Sequence, residues 1–299
     1  TMFFVHPYSN FILWLNEQIQ GSPEMAIGLN HFVFNLLWVF AIIPFIPASI
    51  RFLEWMIPDI EEKEAQAELE PLDESLITAL PEAAMSLSKR QTIEMAKLSR
   101  QSFQTSLLYL EKRDPEDFTF HQELEVIINK LDRELTRYLL EIGKEANLTE
   151  DNRMALNAYL EAVNNLERIG DLSINLSEMY QRIFEHEESF SSSAMEDLNM
   201  MYQLILDLYD RSIAIFQEGN LKEKERVYRD EEYINLIERK YREKHFQRMS
   251  DGLCPTEVAS SLYTDILSHL ERIADHSINI VKQSEVAILA KEIHDGIFI

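Results

Sequence analysis

Glycine and proline are scarce, at seven and nine in 299 residues. With Leu, Glu, Ala, Ile and Met abundant, that scarcity predicts long helices. One cysteine, Cys254, excludes an intrachain disulfide framework and fits a reducing compartment. Basic residues number 28 against 52 acidic, a formal charge of −24. Phosphate-backbone binding requires clustered Lys and Arg, so nucleic acid is excluded as a partner, and the acidic surface suits cations or a basic protein patch. No glycine-rich phosphate loop and no Ser/His/Asp set stands at a recognisable spacing, so the chain does not read as an enzyme. The Glu-x-x-His pairs of di-iron bundles are missing as well. His6, His121, His186, His245 and His294 are scattered and read as ordinary side chains. A composition 46% hydrophobic and 27% charged provides real cores for one large or two ordinary domains.

Charge is absent altogether from Met25 to Ile50, a run dominated by Ile, Leu, Val, Phe and Trp. About 20 apolar residues span a bilayer, so this stretch predicts a transmembrane helix. Trp14, Trp55 and Tyr8 offer interfacial anchors. Pro44 and Pro47 predict a kink of the kind tolerated where other membrane helices pack alongside. Asn30, His31 and Asn35 inside the span point the same way, because polar groups at that depth face a bundle interior. No basic segment precedes the run, which argues against a secretory signal. The acidic stretch Pro58 to Pro71 has little apolar content and reads as a solvated linker.

What organises the remainder is a duplication. Leu166-Glu167-Arg168-Ile169-Gly170-Asp171-Leu172-Ser173-Ile174-Asn175 recurs 104 residues later as Leu270-Glu271-Arg272-Ile273-Ala274-Asp275-His276-Ser277-Ile278-Asn279, identical at eight of ten positions. On a helix each copy stacks Glu, Asp and Asn four residues apart on one face. Like charges at that spacing destabilise an exposed helix by about 0.2–0.5 kcal/mol unless a cation lies between them. Arg168 and Arg272 fall about 100° around the helix from the carboxylates and are not obliged to neutralise them.

Periodicity predicts three helices in each half. The first opens at Pro81, and Asp114-Pro115-Glu116-Asp117 breaks it. The second carries Leu124 to Ile142, and the third starts at Asn147-Leu148-Thr149 and runs to about Phe184. In the second half Ser193-Ala194-Met195-Glu196 reads as a capping box, Glu218-Gly219-Asn220 as a turn, and Ser250 to Pro255 as a loop. The middle helices also align, Glu125, Ile128, Asn129, Leu131 and Asp132 matching Glu231, Ile234, Asn235, Ile237 and Glu238 at an offset of 106. Each half thus sets Glu-x-x-x-Asn on its middle helix beside Glu-x-x-x-Asp on its last. In an antiparallel bundle these are neighbours. The expected fold is all-α: two tandem antiparallel three-helix bundles after an apolar transmembrane helical segment. The expected domains are a membrane-associated segment at 1–57, an acidic linker at 58–72, and repeats at 73–188 and 189–299. The candidate metal ligands are Glu167, Asp171, Glu271 and Asp275, with Glu125, Asn129, Glu231 and Asn235. Such carboxylate and amide oxygens suit hard cations, and zinc and iron also accept carboxylates.

Leu-Glu-Arg-Ile-Gly/Ala-Asp-x-x-x-Asn closing two three-helix units resembles the PhoU family of phosphate-signalling proteins, over about Leu80 to Leu289. That resemblance implies metal clusters, iron, zinc or magnesium, on the acidic faces. Asn129 and Asn235 stand where many members have Asp, which removes two charges, and Leu172 stands opposite His276. Asn30 to Asn35, the two prolines and Ile57-Pro58-Asp59 resemble the last membrane segment of bacterial sodium/phosphate cotransporters that carry a PhoU-like domain. Together they imply the C-terminal part of a longer transporter, at the inner (plasma) membrane with the helical domain cytoplasmic. Its partners would be the transporter membrane domain, the membrane and a signalling protein; the oligomeric state stays open, a dimer being compatible with it. The alternative is a soluble PhoU-type adaptor that binds a transporter or sensor kinase.

Overall fold

The computed structural model describes residues 2–19, 21–49, 51, 69–144, 148–254 and 256–294. Among them every regular element is helical, and the chain divides into two units, 1–63 and 64–299.

The first unit is a helical hairpin of α1 (Met2–Gln18) and α2 (Pro23–Ile42). Ser22 turns the chain, its hydroxyl accepting from Met25 N at 3.4 Å, and Pro23 starts α2 where a missing N–H costs nothing. Periodicity had pointed only to the second of these helices. The Tyr8 hydroxyl donates to Asn30 O at 2.9 Å and ties the pair. Pro44 falls in a 3-10 turn at Ile43–Phe45, the distortion expected where proline removes a helical donor. Helix continues from Pro23 to Ser49 with a mean hydropathy of 2.0 in its most apolar window, long and apolar enough to cross a membrane. Apart from Val33, which is buried, and Leu29, most of its large side chains face outward; Ile27 is 73% exposed and Phe40 66%.

The second unit begins with a short helix, α3 (Ser75–Ala79), and continues as two three-helix bundles. Residues 52–68, most of the expected linker, lie outside the described residues. Residues 69–72 lie against the domain: Glu70 N donates to Gln91 Oε1 at 3.3 Å and Leu72 packs on the core. α4 (Pro81–Lys112), α5 (Pro115–Gly143) and α6 (Glu150–Glu185) form the first bundle. α7 (Ser192–Glu218), α8 (Lys224–Ser250) and α9 (Glu257–His294) form the second. Pro81 stands at the start of α4 and Thr149 caps α6, its hydroxyl accepting from Asn152 N at 3.2 Å. The cap of α7 differs from expectation. Ser191, with extended backbone, accepts from Ala194 N at 3.3 Å, while Ser193 is already helical and faces Arg248.

The bundles join where α6 packs on α9 and α4 on α7. α4 presents small buried polar residues rather than a wholly apolar stripe. Ser99 Oγ donates to Leu166 O at 2.7 Å, Ser106 Oγ meets the Tyr202 hydroxyl at 2.9 Å, and that hydroxyl meets Tyr180 OH at 2.9 Å. The Tyr209 hydroxyl donates to Ala96 O at 2.6 Å. Buried polar groups bonded this way cost little and fix which helix faces which.

Candidate cation-binding faces

The first acidic face is built by α5 and α6. Glu125, Asn129 and Asp132 follow one another at i, i+4 and i+7 on one side of α5, and Glu167 and Asp171 at i and i+4 on α6. The sets face each other closely enough to feel each other's charge. Burial, and then the charge of Asp171, raises the Glu125 carboxyl. Asp132 is raised mainly by burial, with Asp171 adding to it. Glu167 is pushed up to about 7, by burial first, then by Asp171 and Asp132, against the pull of Arg168. Gly170 permits the approach: a Cβ there would stand 3.2 Å from two carbons of Ile128 on α5.

The second face repeats the arrangement. Burial raises Glu271, followed by the charges of Asp275, Glu238 and Glu231. Burial and then Glu231 raise Asp275. Glu125 facing Asp171 in the first face corresponds to Glu231 facing Asp275 in the second, and Asp132 with Glu167 to Glu238 with Glu271, under the same offsets of 106 and 104 that the sequence shows. All eight candidates therefore gather on two like faces, four to a face.

Asp132 and Glu238 belong to these faces and were left out of the ligand set. Their spacing of seven from Glu125 and Glu231 was the signal that could have placed them there. The arginines also differ from expectation. Arg168 does reach the carboxylates, Nε at 3.6 Å from Glu167 Oε2 and Nη1 at 3.9 Å from Asp171 Oδ2, because its long stem bends back across the intervening angle. In the second face the resident guanidinium comes from another helix. Arg242 on α8 pairs with Glu238 and donates to Ser268 Oγ at 2.9 Å. Thr136 stands at the matching position of the first repeat and donates to Asp132 Oδ1 at 3.5 Å.

The donor chemistry fits a hard cation, since every candidate offers oxygen. Asn235 adds to that fit: its Nδ2 donates to Glu231 Oε1 at 2.8 Å, and its Oδ1 is buried without a partner. Among the described residues, however, no three His, Cys, Asp or Glu side chains converge on one point. Of the histidines read as ordinary, His121 is fully buried, between Ser102 Oγ at 2.7 Å and Ser177 Oγ at 2.8 Å, and burial takes it down to about 3.

The profile of the PhoU domain matches residues 92–180 and 198–284, once on each bundle. The chain belongs to the PhoU domain family. Each PhoU match takes in one copy of the ten-residue motif. Solved PhoU structures share the fold at low identity. PhoU from Pseudomonas aeruginosa superposes with a TM-score of 0.64 at 16% identity, covering 70% of this chain and 99% of that one. PhoU from Streptococcus pneumoniae gives 0.62 at 17%, covering 69% and 96%. Among curated relatives, YjbB of Salmonella typhimurium, named as a candidate inorganic phosphate export protein, is 22% identical over 271 residues. That alignment covers 90% of this chain and 49% of YjbB, so the chain spans about half the length of that relative. PhoU homolog 1 of Thermotoga maritima, named a phosphate-specific transport system accessory protein, is 26% identical over 202 residues, 68% of this chain and 86% of that protein.

Proposed function

We propose that the helical domain regulates inorganic phosphate transport by a membrane domain to which the apolar helix at Pro23–Ser49 belongs. The observation that carries this reading is the presence in one chain of two PhoU repeats and a helix with membrane-spanning length and hydropathy. In its specific form the membrane domain is a sodium-dependent phosphate cotransporter, in the same polypeptide or in a complex, with the PhoU repeats on the cytoplasmic side of the plasma membrane. A domain so attached changes flux only by contacting transporter states, or a signalling partner, with unequal affinity.

Divalent or ferric ions are the proposed ligands of the two acidic faces. Glu125, Asn129, Glu167 and Asp171 would hold one set, and Glu231, Asn235, Glu271 and Asp275 the other. The bound cation would supply charge neutralisation there, and the carboxyls raised by mutual repulsion support the reading. These residues serve as ligands and not as reaction partners.

The test is deletion of everything after Leu72 from the full-length protein, with labelled phosphate followed in both directions across the membrane, with and without sodium. Flux that persists but no longer responds to phosphate supply supports regulation. Flux abolished in a correctly inserted truncation makes the helices part of the transport machinery. An unchanged response favours a second reading, a PhoU-type adaptor acting elsewhere. One observation speaks for that reading: 99% of the Pseudomonas aeruginosa protein corresponds to only 70% of this chain.

A further inference from the structure

Arg248 is a buried cation with much of its hydrogen-bonding capacity unused. It sits near the C-terminal end of α8 and is 8% exposed. Nη1 donates to Asp197 Oδ2 at 2.8 Å and lies 3.4 Å from Ser193 Oγ, while Nε and Nη2 are buried without partners. The Tyr263 hydroxyl on α9 is buried and makes no hydrogen bond of ordinary geometry, although it lies close enough to Arg248 to interact with the guanidinium, whose carbon stands 5.2 Å from the ring. Arg248 and Tyr263 line one small cavity of about 10 Å³, together with Ser191, Thr256 and Ser260. That is room for about one water-sized particle. His245 walls it, stacked on Tyr263 at 4.5 Å with Nε2–H donating to Ser260 O at 2.9 Å.

The charges bonded directly to Arg248 do not balance. Asp197 is shared between two cations, its other oxygen accepting from Lys244 Nζ at 2.7 Å. Among these three side chains positive charge outnumbers negative, and Arg248 is the buried cation. Two long helices also begin beside the cavity, α7 at its cap Ser191 and α9 just after Thr256, and the positive ends of their dipoles add to the excess. α7 has no acidic residue in its first turn, whereas α9 is answered by Glu257 in its own first turn and by Glu188 Oε2, which accepts from Ala259 N at 2.8 Å. The fold itself does not call for an arginine here. The 106-residue offset places Ile142, fully buried, at the same point of the first repeat.

A water molecule would satisfy the free N–H and O–H groups but leave the charge; a small anion answers both. We propose that this cavity is a binding site for a single small inorganic anion of chloride size, held by Arg248 Nε and Nη2 and the Tyr263 hydroxyl. Its volume is too small for a tetrahedral oxyanion such as phosphate. The site is confined to the second repeat and is independent of the acidic faces.

The test uses the full chain in detergent. In crystals grown with bromide replacing chloride, an anomalous peak is expected in the cavity within about 3.5 Å of Arg248 Nη2. It should vanish in Arg248→Lys, which keeps the pair with Asp197 but loses the free N–H groups. The melting temperature should be a few degrees higher in chloride or bromide than in gluconate at equal ionic strength. Tyr263→Phe should reduce that difference, and it serves as the test variant if Arg248→Lys does not fold. Density without anomalous signal, which marks water, would overturn the proposal. So would equal melting in all three salts, or a rise produced by phosphate alone.

Discussion

His276 Nδ1 lies 2.9 Å from Asn165 Oδ1 and links the two PhoU repeats where α9 packs on α6. Burial, and then the charges of Arg272 and Arg168, hold the imidazole below its ordinary value, so it is neutral and donates to the amide oxygen. The bond has no twin. The 104-residue offset maps His276 onto Leu172 and Asn165 onto His269, and His269 Nδ1 bonds instead to Asp265 O of its own helix at 2.8 Å. His276→Leu, which copies the first repeat, should cost about 1 kcal/mol by leaving the buried amide of Asn165 without its donor. Asn165→Leu with His276→Leu should recover most of that loss. Denaturant melts of these two variants and of Asn165→Leu alone measure it, and strictly additive losses would show that the two side chains do not interact.

Stability should depend on pH in a way traceable to Glu167. Its carboxyl is raised from 4.5 to about 7, so the folded state holds a proton that the unfolded state has already released. Stability contributed by that proton is present below about pH 4.5 and lost as pH rises to about 7. Glu167→Gln should therefore gain on the wild type steadily across that window. A difference between the two proteins that stays flat from pH 4.5 to 7.5 would remove Glu167 as the source.

Cation binding should respond to the resident arginines. Arg168→Gln removes a positive charge that competes for Glu167 and Asp171, and affinity at the first face should rise about two- to fivefold, roughly 0.5–1 kcal/mol. Asp171→Ala combined with Asp275→Ala should abolish metal-dependent melting shifts. Calorimetry with manganese and magnesium checks both. A double variant that still binds as the wild type does leaves these faces merely solvated.

The His121 link is a feature of the first repeat only. By the same offsets Val227 and Val281 replace His121 and Ser177, and both valines are fully buried. Ser177→Val should cost about 1–3 kcal/mol by stranding one ring nitrogen, and adding His121→Val should cost less than a second loss of that size. Because His121 is depressed to about 3, its contribution is present above about pH 6.5 and lost as pH falls. The wild type should accordingly lose more stability between pH 6.5 and 4 than the double variant does.

Most of the helices were legible because local signals and long-range pattern agreed. Pro81, Thr149 and Gly219 mark ends that the backbone confirms, with Gly219 in the left-handed region at φ 66°. Two like motifs 104 residues apart implied two like faces, and the electrostatic pairs match across the repeats. What escaped was decided in three dimensions. The three consecutive serines 191–193 offer three equivalent caps, and only backbone conformation chooses Ser191. The reach of Arg168 depends on a rotamer rather than on helical phase. α1 carries no long apolar run and has Pro7 within it. His121 is invisible to spacing arguments because Ser102 and Ser177 come from two other helices.

The apolar core of the second unit is a single cluster, drawing on Leu98 and Leu166 from one PhoU repeat and Ile205 and Leu270 from the other. The interiors of the two repeats are continuous, so parting them exposes apolar surface of both at once. The unit should therefore yield in one step, as a keystone arch does, and a ligand that grips either acidic face should brace the whole span against heat and proteases.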